Sequence, residues 1–584
     1  MADEGHSQNT KSLNARLGSF IKRYWLTAIA FLVFSVVNVI LLFRYNWLFG
    51  GQDLQFHLQR IDEMYNNLIR GNLNPYIATF NLNQLGSAVM SLYPKLPLYL
   101  FAAIRLVIGN PITSFYIGTI LTTFLCLWIS YAAYHSVRPT DTVGAYVFAI
   151  AYALSGLNVT YNFLMVDIGI SFTIIVLPLV FAGYYHWITA GRYKMLTIGM
   201  TIICLSHVLN ILITLLALVI FLIIDIRKVT RQKLVSLAKA VGITALLSSS
   251  FWIPALHFGT SLEMTKPYTF QLNGISLLKY TTAALSNSIA YGYTIVALIG
   301  FVLAIIMYRH LTRFSKEIFW VGIGFVILSS SLFPWHLFQN TSIVLLQFPW
   351  RFLILPQLGF TYLFSVLGSE LLAKVPQRAY KLGIVGVFTL LVLGLSLNSQ
   401  SGRVNFELKS PEIKADLYPN SNQIPFVQGM VWYRVTNLSQ YKHLMTYIDT
   451  GDYLPKMSDD TFHTLSMQRA IQDNNPAVNI PVEAKSQPAG KQMTVEVGTP
   501  TKSLALPFVI YDQHYTVKVD GKKYPLKSNR DHVLTVNNLA VGKHTIQVHY
   551  HNGLMTAMIS LLTIVGLVAI LWPKEWVKTK DQTN

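Results

Sequence analysis

The chain has 584 residues, 53% of them hydrophobic and only 12% charged, with a formal net charge of +19 and a mean hydropathy of +0.44. Soluble globular chains carry about 25% charged residues, so a charge density half as large excludes a soluble enzyme, and the apolar content excludes a disordered chain. The basic excess would fit nucleic acid or the cytoplasmic loops of a polytopic membrane protein, and the positions of the Lys and Arg residues decide for the membrane.

Residues 25–43 form an apolar run long enough to cross a bilayer, preceded by Lys11, Arg16, Lys22 and Arg23. Its length and the lack of a small-residue cleavage site after it mark an anchor rather than a signal peptide. Residues 1–24 are then cytoplasmic. Further apolar runs lie at 112–134, 142–157, 168–188, 195–208, 209–225, 238–256, 290–308, 317–333, 352–369, 380–397 and 554–572. Threaded alternately, they put Arg138, Arg192/Lys194, Arg227/Lys228/Arg231/Lys233, Arg309/Arg313/Lys316, Lys374/Arg378/Lys381 and Lys574/Lys578/Lys580 on the cytoplasmic side, as the positive-inside rule requires. This holds if 92–109, interrupted by Pro94, Lys95, Pro97 and Arg105, is a half-inserted or interfacial helix. The sequence thus predicts a polytopic α-helical protein of the plasma membrane with about 12 spans and both termini cytoplasmic. The membrane domain covers 25–397, and a tail at 573–584 follows the last span. The weakest break is between 195–208 and 209–225, marked only by Ser206-His207 and Asn210.

Two segments fall on the extracytoplasmic side: a first loop, 44–111, and an insert of domain size, 398–553. Residues 504–511, 515–519, 522–526, 532–539 and 543–551 alternate apolar and polar as half-buried strands do. Asp520-Gly521 is a hairpin turn signal. A small antiparallel β-sandwich at about 490–552 is expected. Cys126 and Cys204 both fall in spans, so no disulfide framework holds the exposed segments.

Gly50-Gly51-Gln52-Asp53-Leu54-Gln55-Phe56-His57-Leu58-Gln59-Arg60 follows the first span, and Leu54, Leu58, Ile61, Tyr65 and Leu68 recur at helical spacing. Asp53, His57 and Arg60 line a second face of that helix. A solvated face is one reading, and a catalytic one is favoured by the position at the membrane boundary behind two glycines that admit close approach. Asp167 lies among apolar residues at the start of a span. A charge there marks a functional position or a helix N-terminal carboxylate favoured by the dipole. His207 sits at an extracytoplasmic turn, where a hydrogen-bonded structural histidine is the simpler role. Tyr93-Pro94-Lys95-Leu96-Pro97 and Gln347-Phe348-Pro349-Trp350-Arg351-Phe352 each put one cation at the same boundary, for phosphate or for snorkelling. Together these residues describe a cleft for an amphiphilic phosphate-bearing substrate and a hydroxyl that gives its proton to a carboxylate. The chain has no P-loop, dinucleotide fingerprint, His-Glu-x-x-His or serine nucleophile elbow, so the energy for chemistry must arrive in an activated lipid.

In its order of elements the chain resembles the GT-C superfamily of integral-membrane glycosyltransferases, and more narrowly the YfhO-type and "6-pyruvoyl-tetrahydropterin synthase-related" bacterial membrane proteins, a label that implies no pterin chemistry. The stretches that carry the resemblance are Gly51 to His57, Ser91 to Pro97, Ser206-His207, Gln347 to Phe352, Asp452-Tyr453-Leu454-Pro455, Val519 to Lys523 and Gly542-Lys543-His544. The resemblance implies transfer of a sugar from a polyprenyl-phosphate-linked donor to an envelope glycopolymer or glycolipid acceptor on the extracytoplasmic face, with inversion. It implies a catalytic Asp53; from the residues themselves, His57 one helical turn on is expected to orient or assist it, and Arg60, Tyr93, Lys95, His207 and Arg351 to hold substrate. It also leaves room for a divalent cation, Mg2+ or Mn2+, at Asp53 and Asp167, although Gln52 stands where the metal-dependent branch has a second acidic residue. The β-domain and 398–490 are candidates for acceptor recognition. Rival readings are a lipid-linked-sugar flippase and a non-enzymatic envelope assembly protein. Convergence of Asp53, Asp167, Arg351, His57 and Lys95 on one cavity separates the enzyme from the last of these.

Overall fold

The computed structural model describes residues 24–51, 53–265, 267, 269–288, 291, 293–409, 426–427, 430–445 and 451–572. Lys11, Arg16, Lys22, Arg23, Gln52, Lys574, Lys578 and Lys580 lie outside the described residues, as do 410–425, 428–429 and 446–450 of the insert and both ends of the chain.

In chain order the elements are α1 (Tyr24–Phe43), β1 (Leu48–Gly51), α2 (Leu54–Leu68), α3 (Val89–Leu92), α4 (Leu96–Ile108), α5 (Pro111–Val137), α6 (Thr142–Leu164) and α7 (Ile168–Ala190). Next come α8 (Lys194–Cys204), α9 (Val208–Ile224), α10 (Arg231–Leu247), α11 (Ser249–Ser261), α12 (Leu277–Leu285), α13 (Ile295–Ile306), α14 (Arg313–Ser329), α15 (Pro349–Ala373) and α16 (Arg378–Leu408). The chain closes with β2 (Phe426–Val427), β3 (Met430–Val435), α17 (Leu438–Leu444), α18 (Asp459–Ser466), strands β4 to β11 and α19 (Gly553–Leu571).

Each predicted span coincides with a helix, but among the described residues seven helices are long and apolar enough to cross a membrane, or eight if the bent pair α10 and α11 counts as one. The run predicted as one crossing at 238–256 is that pair, turned by 67°. The bend falls at Ser248, whose Oγ donates to the Thr244 carbonyl at 2.7 Å, a back-bond that bends helices. Helices α8, α9 and α13 are shorter, at 11, 17 and 12 residues, so a count of 12 full crossings does not follow from them. The split between α8 and α9 falls at Leu205 to His207, where the sequence is weakest. The interrupted run at 92–109 contains α4, whose 13 residues are too few to span.

The basic loops gather at one end of the bundle. Arg138 meets Glu370 at 3.0 Å, His186 meets Ser136 at 3.1 Å, and the Trp187 indole donates to the Lys233 carbonyl at 3.0 Å. Lys228 pairs with Asp225 at 2.5 Å and with Glu317 at 3.2 Å. Lys194 Nζ donates to the Trp572 carbonyl at 2.8 Å. The 23 residues of α7 set its first residue about 35 Å from this end. Asp167 therefore belongs to the opposite end.

Strands β4 (Arg469–Gln472), β5 (Asn475–Gln487), β6 (Gly490–Val497), β7 (Thr501–Val509), β8 (Tyr515–Val519), β9 (Lys522–Tyr524), β10 (Val533–Leu539) and β11 (Gly542–Tyr550) form one curled antiparallel sheet, order β10-β7-β4-β5-β6-β11-β8-β9. It reaches further toward the N-terminus than the sequence pattern indicates, because β4 and β5 lack clean alternation. Asp520 and Gly521 join β8 to β9 with φ of 49° and 78°, as the hairpin signal requires. The sheet rests on the first loop. Val509 N donates to Leu85 O at 2.8 Å and Ala88 N to the Tyr511 hydroxyl at 3.0 Å. The buried Lys491 ammonium donates to Gln84 O, Gln468 Oε1 and Pro507 O at 2.9, 2.6 and 3.1 Å. Gly86 lies between them with φ +73°, and a Cβ there would come 2.8 Å from the Phe508 ring. Gly86→Ala is therefore expected to destabilise the protein by about 1–3 kcal/mol, read as a lower unfolding temperature.

Candidate functional site

The first loop brings Asp53 to the N-terminus of α2 by way of β1, which pairs antiparallel with β3 in register Leu48 with Val435. Along α2 the apolar residues Leu54, Leu58 and Ile61 are buried as expected, but so are Gln55, Gln59 and Glu63. Most of their partners are backbone groups distant in sequence, at the end of α17 and in the loop at 79–82, and the Asn67 side chain also donates to Glu63 at 2.8 Å. Gln55 and Gln59 donate to the Leu444 carbonyl at 3.0 and 2.9 Å, and the Glu63 carboxylate accepts from the N–H groups of Thr79, Phe80 and Asn81 at 3.0, 2.8 and 2.9 Å. His57 and Arg60 are each 1% exposed, which removes the solvated-face reading of this helix.

Asp167 arrives from a strained segment. Residues Thr160–Leu164 form a π-turn, a feature frequent at functional sites, and the β-branched Val166 has φ 58°, which costs about 1–3 kcal/mol. Asp167 then starts α7, its Oδ1 accepting from Ile170 N at 2.9 Å. His57 Nε2 stands 3.5 Å from Asp167 Oδ1 and His207 Nε2 3.6 Å from Oδ2. His207 Nδ1 accepts from Asn210 N at 3.2 Å; this bond assigns the proton of the neutral ring to Nε2, toward Asp167. A Cβ on Gly169 would meet the Ser206 carbonyl at 2.7 Å, so glycine is what lets the two turns approach.

Tyr93 fills the space between the histidines, its ring 6.0 Å from that of His57 and 5.7 Å from that of His207. Arg60 lies 4.3 Å over the Tyr93 ring and donates to the carbonyls of Tyr93 and Pro94 at 3.2 and 2.8 Å. Its guanidinium positions the Tyr93-Pro94 turn. Arg351 sits in the first turn of α15 and donates to Leu346 O at 3.0 Å and Gln347 Oε1 at 3.2 Å. Its charge acts on Asp53, Asp167 and His207. Lys95 is not among the groups that act on the carboxylates. Its ammonium donates to the Pro75 carbonyl at 2.8 Å, and it lines a pocket of about 380 Å³ with Tyr93, Tyr99, Leu205 and Phe251.

Three residues not singled out as site candidates complete the cluster. Asp452 acts electrostatically on Asp53. Tyr453 stacks on Phe56 at 5.9 Å and meets Tyr93 at 6.1 Å, with φ 66°. The Tyr161 hydroxyl is within electrostatic reach of Arg351, Asp167 and Asp53. Val166, Gln347 and Tyr453 all have positive φ, one in each segment that delivers Asp167, Arg351 and Asp452. Asp452-Tyr453 was visible in the sequence as a shared motif; nothing in its spacing tied it to Asp53.

The two carboxylates are pushed apart. Burial, reinforced by the charges of Asp167 and Asp452 and opposed by Arg351, raises Asp53 to about 7. Asp167 is held below the usual carboxylate range: burial works against this, but His207, His57, the Ile170 N–H and Arg351 outweigh it. Burial lowers His57 to about 3, so its imidazole is neutral. A pair of carboxylates split in this way separates an ionised anchor from a group able to exchange a proton near neutral pH. Asp53 and Asp167 offer carboxylate oxygens to a divalent cation, but His207 has no free nitrogen lone pair to add, because Nδ1 accepts from Asn210 N and Nε2 carries the proton; the buried His57 Nδ1 has no hydrogen-bond partner among the described residues.

A family model described as a 6-pyruvoyl-tetrahydropterin synthase related domain, membrane protein, matches residues 90–406, more than half of the chain. The chain belongs to this family. It is a multi-pass membrane protein, and the family region holds Tyr93, Lys95, Asp167, His207 and Arg351, whereas Asp53, His57, Arg60 and the β-sheet lie outside it. Among solved structures, the arabinofuranosyltransferase AftD from Mycobacteria is similar, with 13% identity over 66% of this chain and 27% of that one and a TM-score of 0.43. The chain spans only about a quarter of AftD's length. ArnT from Cupriavidus metallidurans bound to undecaprenyl phosphate is similar at 12% identity over 65% of this chain and 71% of that one, with a TM-score of 0.34. No curated protein matches the chain.

Proposed function

We propose that the protein is an inverting membrane glycosyltransferase that moves a sugar from a polyprenyl-phosphate-linked donor to an envelope glycopolymer or glycolipid. The observation that carries this reading is the convergence of Asp53, Asp167, His57, His207 and Arg351 at the bundle end opposite the basic loops. If the basic end is cytoplasmic, the site and the β-sheet domain face the outside, where the sugar must arrive already activated.

In the proposed reaction Asp53 accepts the proton of the acceptor hydroxyl as its oxygen bonds to the anomeric carbon. The bond from that carbon to the phosphate oxygen breaks with its electron pair passing to phosphate, through an oxocarbenium-like transition state related to that of glycosidases. Arg351 neutralises the departing phosphate. Asp167 stays ionised and fixes both imidazoles, and Arg60 holds Tyr93 in place. A divalent cation held by Asp53 and Asp167 would supply further charge neutralisation at phosphate. The domain at 398–553 is assigned acceptor recognition.

The test is incubation of purified protein with radiolabelled polyprenyl-phosphate sugars and isolated envelope polymers, with and without chelator. Label transferred to an acceptor supports the proposal. No transfer from any donor, with the protein folded, overturns it.

A further inference from the structure

Outside the site described above, His257, Asp512 and His514 form a second cluster whose ligating atoms all lie within 4.8 Å of one another. They come from distant parts of the chain. His257 is on α11, the second half of the bent helix pair, and Asp512 and His514 are in the loop between β7 and β8. His257 Nε2 lies 2.6 Å and His514 Nδ1 3.2 Å from the same oxygen, Asp512 Oδ2. The carboxylate is oriented by bonds of its own: Oδ1 accepts from His514 N at 2.7 Å, and Oδ2 from the Tyr550 hydroxyl at 3.3 Å.

We propose that this triad is a site for a divalent transition metal of the zinc class, one that fastens the β-sheet domain to the bent helix. Zinc binds imidazole nitrogen and carboxylate oxygen at about 2.0–2.2 Å, which in a tetrahedron puts ligand atoms about 3.3 Å apart. The two contacts to Asp512, at 2.6 and 3.2 Å, are shorter than that separation, and the third edge lies within 4.8 Å, so small rotations of the partly exposed imidazoles bring the three atoms onto the edges of one tetrahedron. A donor set of two imidazoles and one carboxylate selects zinc or cobalt over the hard ions magnesium and calcium. Tyr550 and the His514 amide supply the outer bonds that orient a metal-bound carboxylate. Three protein ligands leave the fourth position to water, and His257 and His514 are open enough for the ion to enter.

The site would fasten a support of the candidate active site without belonging to it. Next to His257, Phe258 packs edge-on to Tyr511 at 5.3 Å and against Tyr550 at 5.7 Å. The Cβ position of Gly259 is 3.5 Å from Leu92, and Leu92 precedes Tyr93. None of this depends on the proposed reaction, so failure of one leaves the other standing.

The experiment uses the full chain, without a polyhistidine tag, stripped of metal in detergent and titrated with Co2+ and then Zn2+. One equivalent of Co2+ should give the visible spectrum of a tetrahedral nitrogen and oxygen site, and Zn2+ should displace it and raise the unfolding temperature. His257→Gln combined with His514→Gln should abolish the spectrum and the thermal shift, while unfolding at the temperature of the metal-free parent. With 15 histidines in the chain, binding elsewhere is a defined alternative outcome. A spectrum that persists in the double variant, or no tetrahedral spectrum in the parent, overturns the proposal.

Discussion

Replacing Asp53 with Asn is expected to abolish sugar transfer, a loss of about 10²–10⁴-fold for a missing general base, and to leave the protein folded and inserted. Asn keeps the size of the side chain and cannot take the proton. The fold should not suffer, by the following linkage. Asp53 titrates at about 7 in the folded chain against an ordinary value of 3.8, so its contribution to stability is fully present below pH 3.8 and is lost as pH rises through 7. Above pH 7 the parent carries two ionised carboxylates that repel one another, and Asn removes one of the charges. At pH 8 the variant should therefore unfold at or above the parent's temperature. In the parent, the base works only when deprotonated, so kcat/KM should fall about tenfold per pH unit below 7 and level off above it. Near-normal transfer by the Asn variant would sink the assignment, and loss of folding would show Asp53 to be structural.

The helices were legible because a lipid span needs a long apolar run and the basic residues beside such runs mark their ends. That logic located α5, α7 and α15 within a few residues and the start of α6, whose end lies seven residues beyond the predicted run. It also identified the end of the bundle bearing Asp167, since a carboxylate among apolar neighbours is conspicuous. The β8–β9 hairpin was legible from Asp520-Gly521. Side-chain direction was not. Lys95 and Arg60 look alike in sequence as boundary cations, yet one donates to the Pro75 carbonyl and the other lies over the Tyr93 ring. The buried polar face of α2 was hidden because most partners of Gln59 and Glu63 are backbone groups of the loop at Thr79 to Leu82 and of Leu444, and backbone leaves no trace in residue type. Asp452 was missed for a similar reason. It reaches Asp53 only because the chain returns from the extramembranous insert to the mouth of the bundle, a tertiary event that local periodicity does not encode.

Asp167→Asn separates the anchoring role of that carboxylate from a capping one. Asn is as good as Asp at a helix N-terminus, so the bond from Ile170 N survives and α7 should start where it does now. The charge does not survive, and two effects follow. His57 and His207 lose the anion that orients their Nε2 atoms, and the preorganised field around the departing phosphate is disturbed. Loss of one such group lowers kcat by about 10²–10³, or about 2.7–4 kcal/mol. The second effect is diagnostic. Asp167 is one of the groups that raise Asp53, so its neutralisation should let Asp53 ionise more readily and move the acidic limb of the pH profile below 7. Arg351→Gln should move the same limb upward, because Arg351 opposes that rise. A purely structural Asp167 would lower the unfolding temperature without moving the limb. Opposite displacements in the two variants, at comparable losses of kcat, are what one electrostatic site requires.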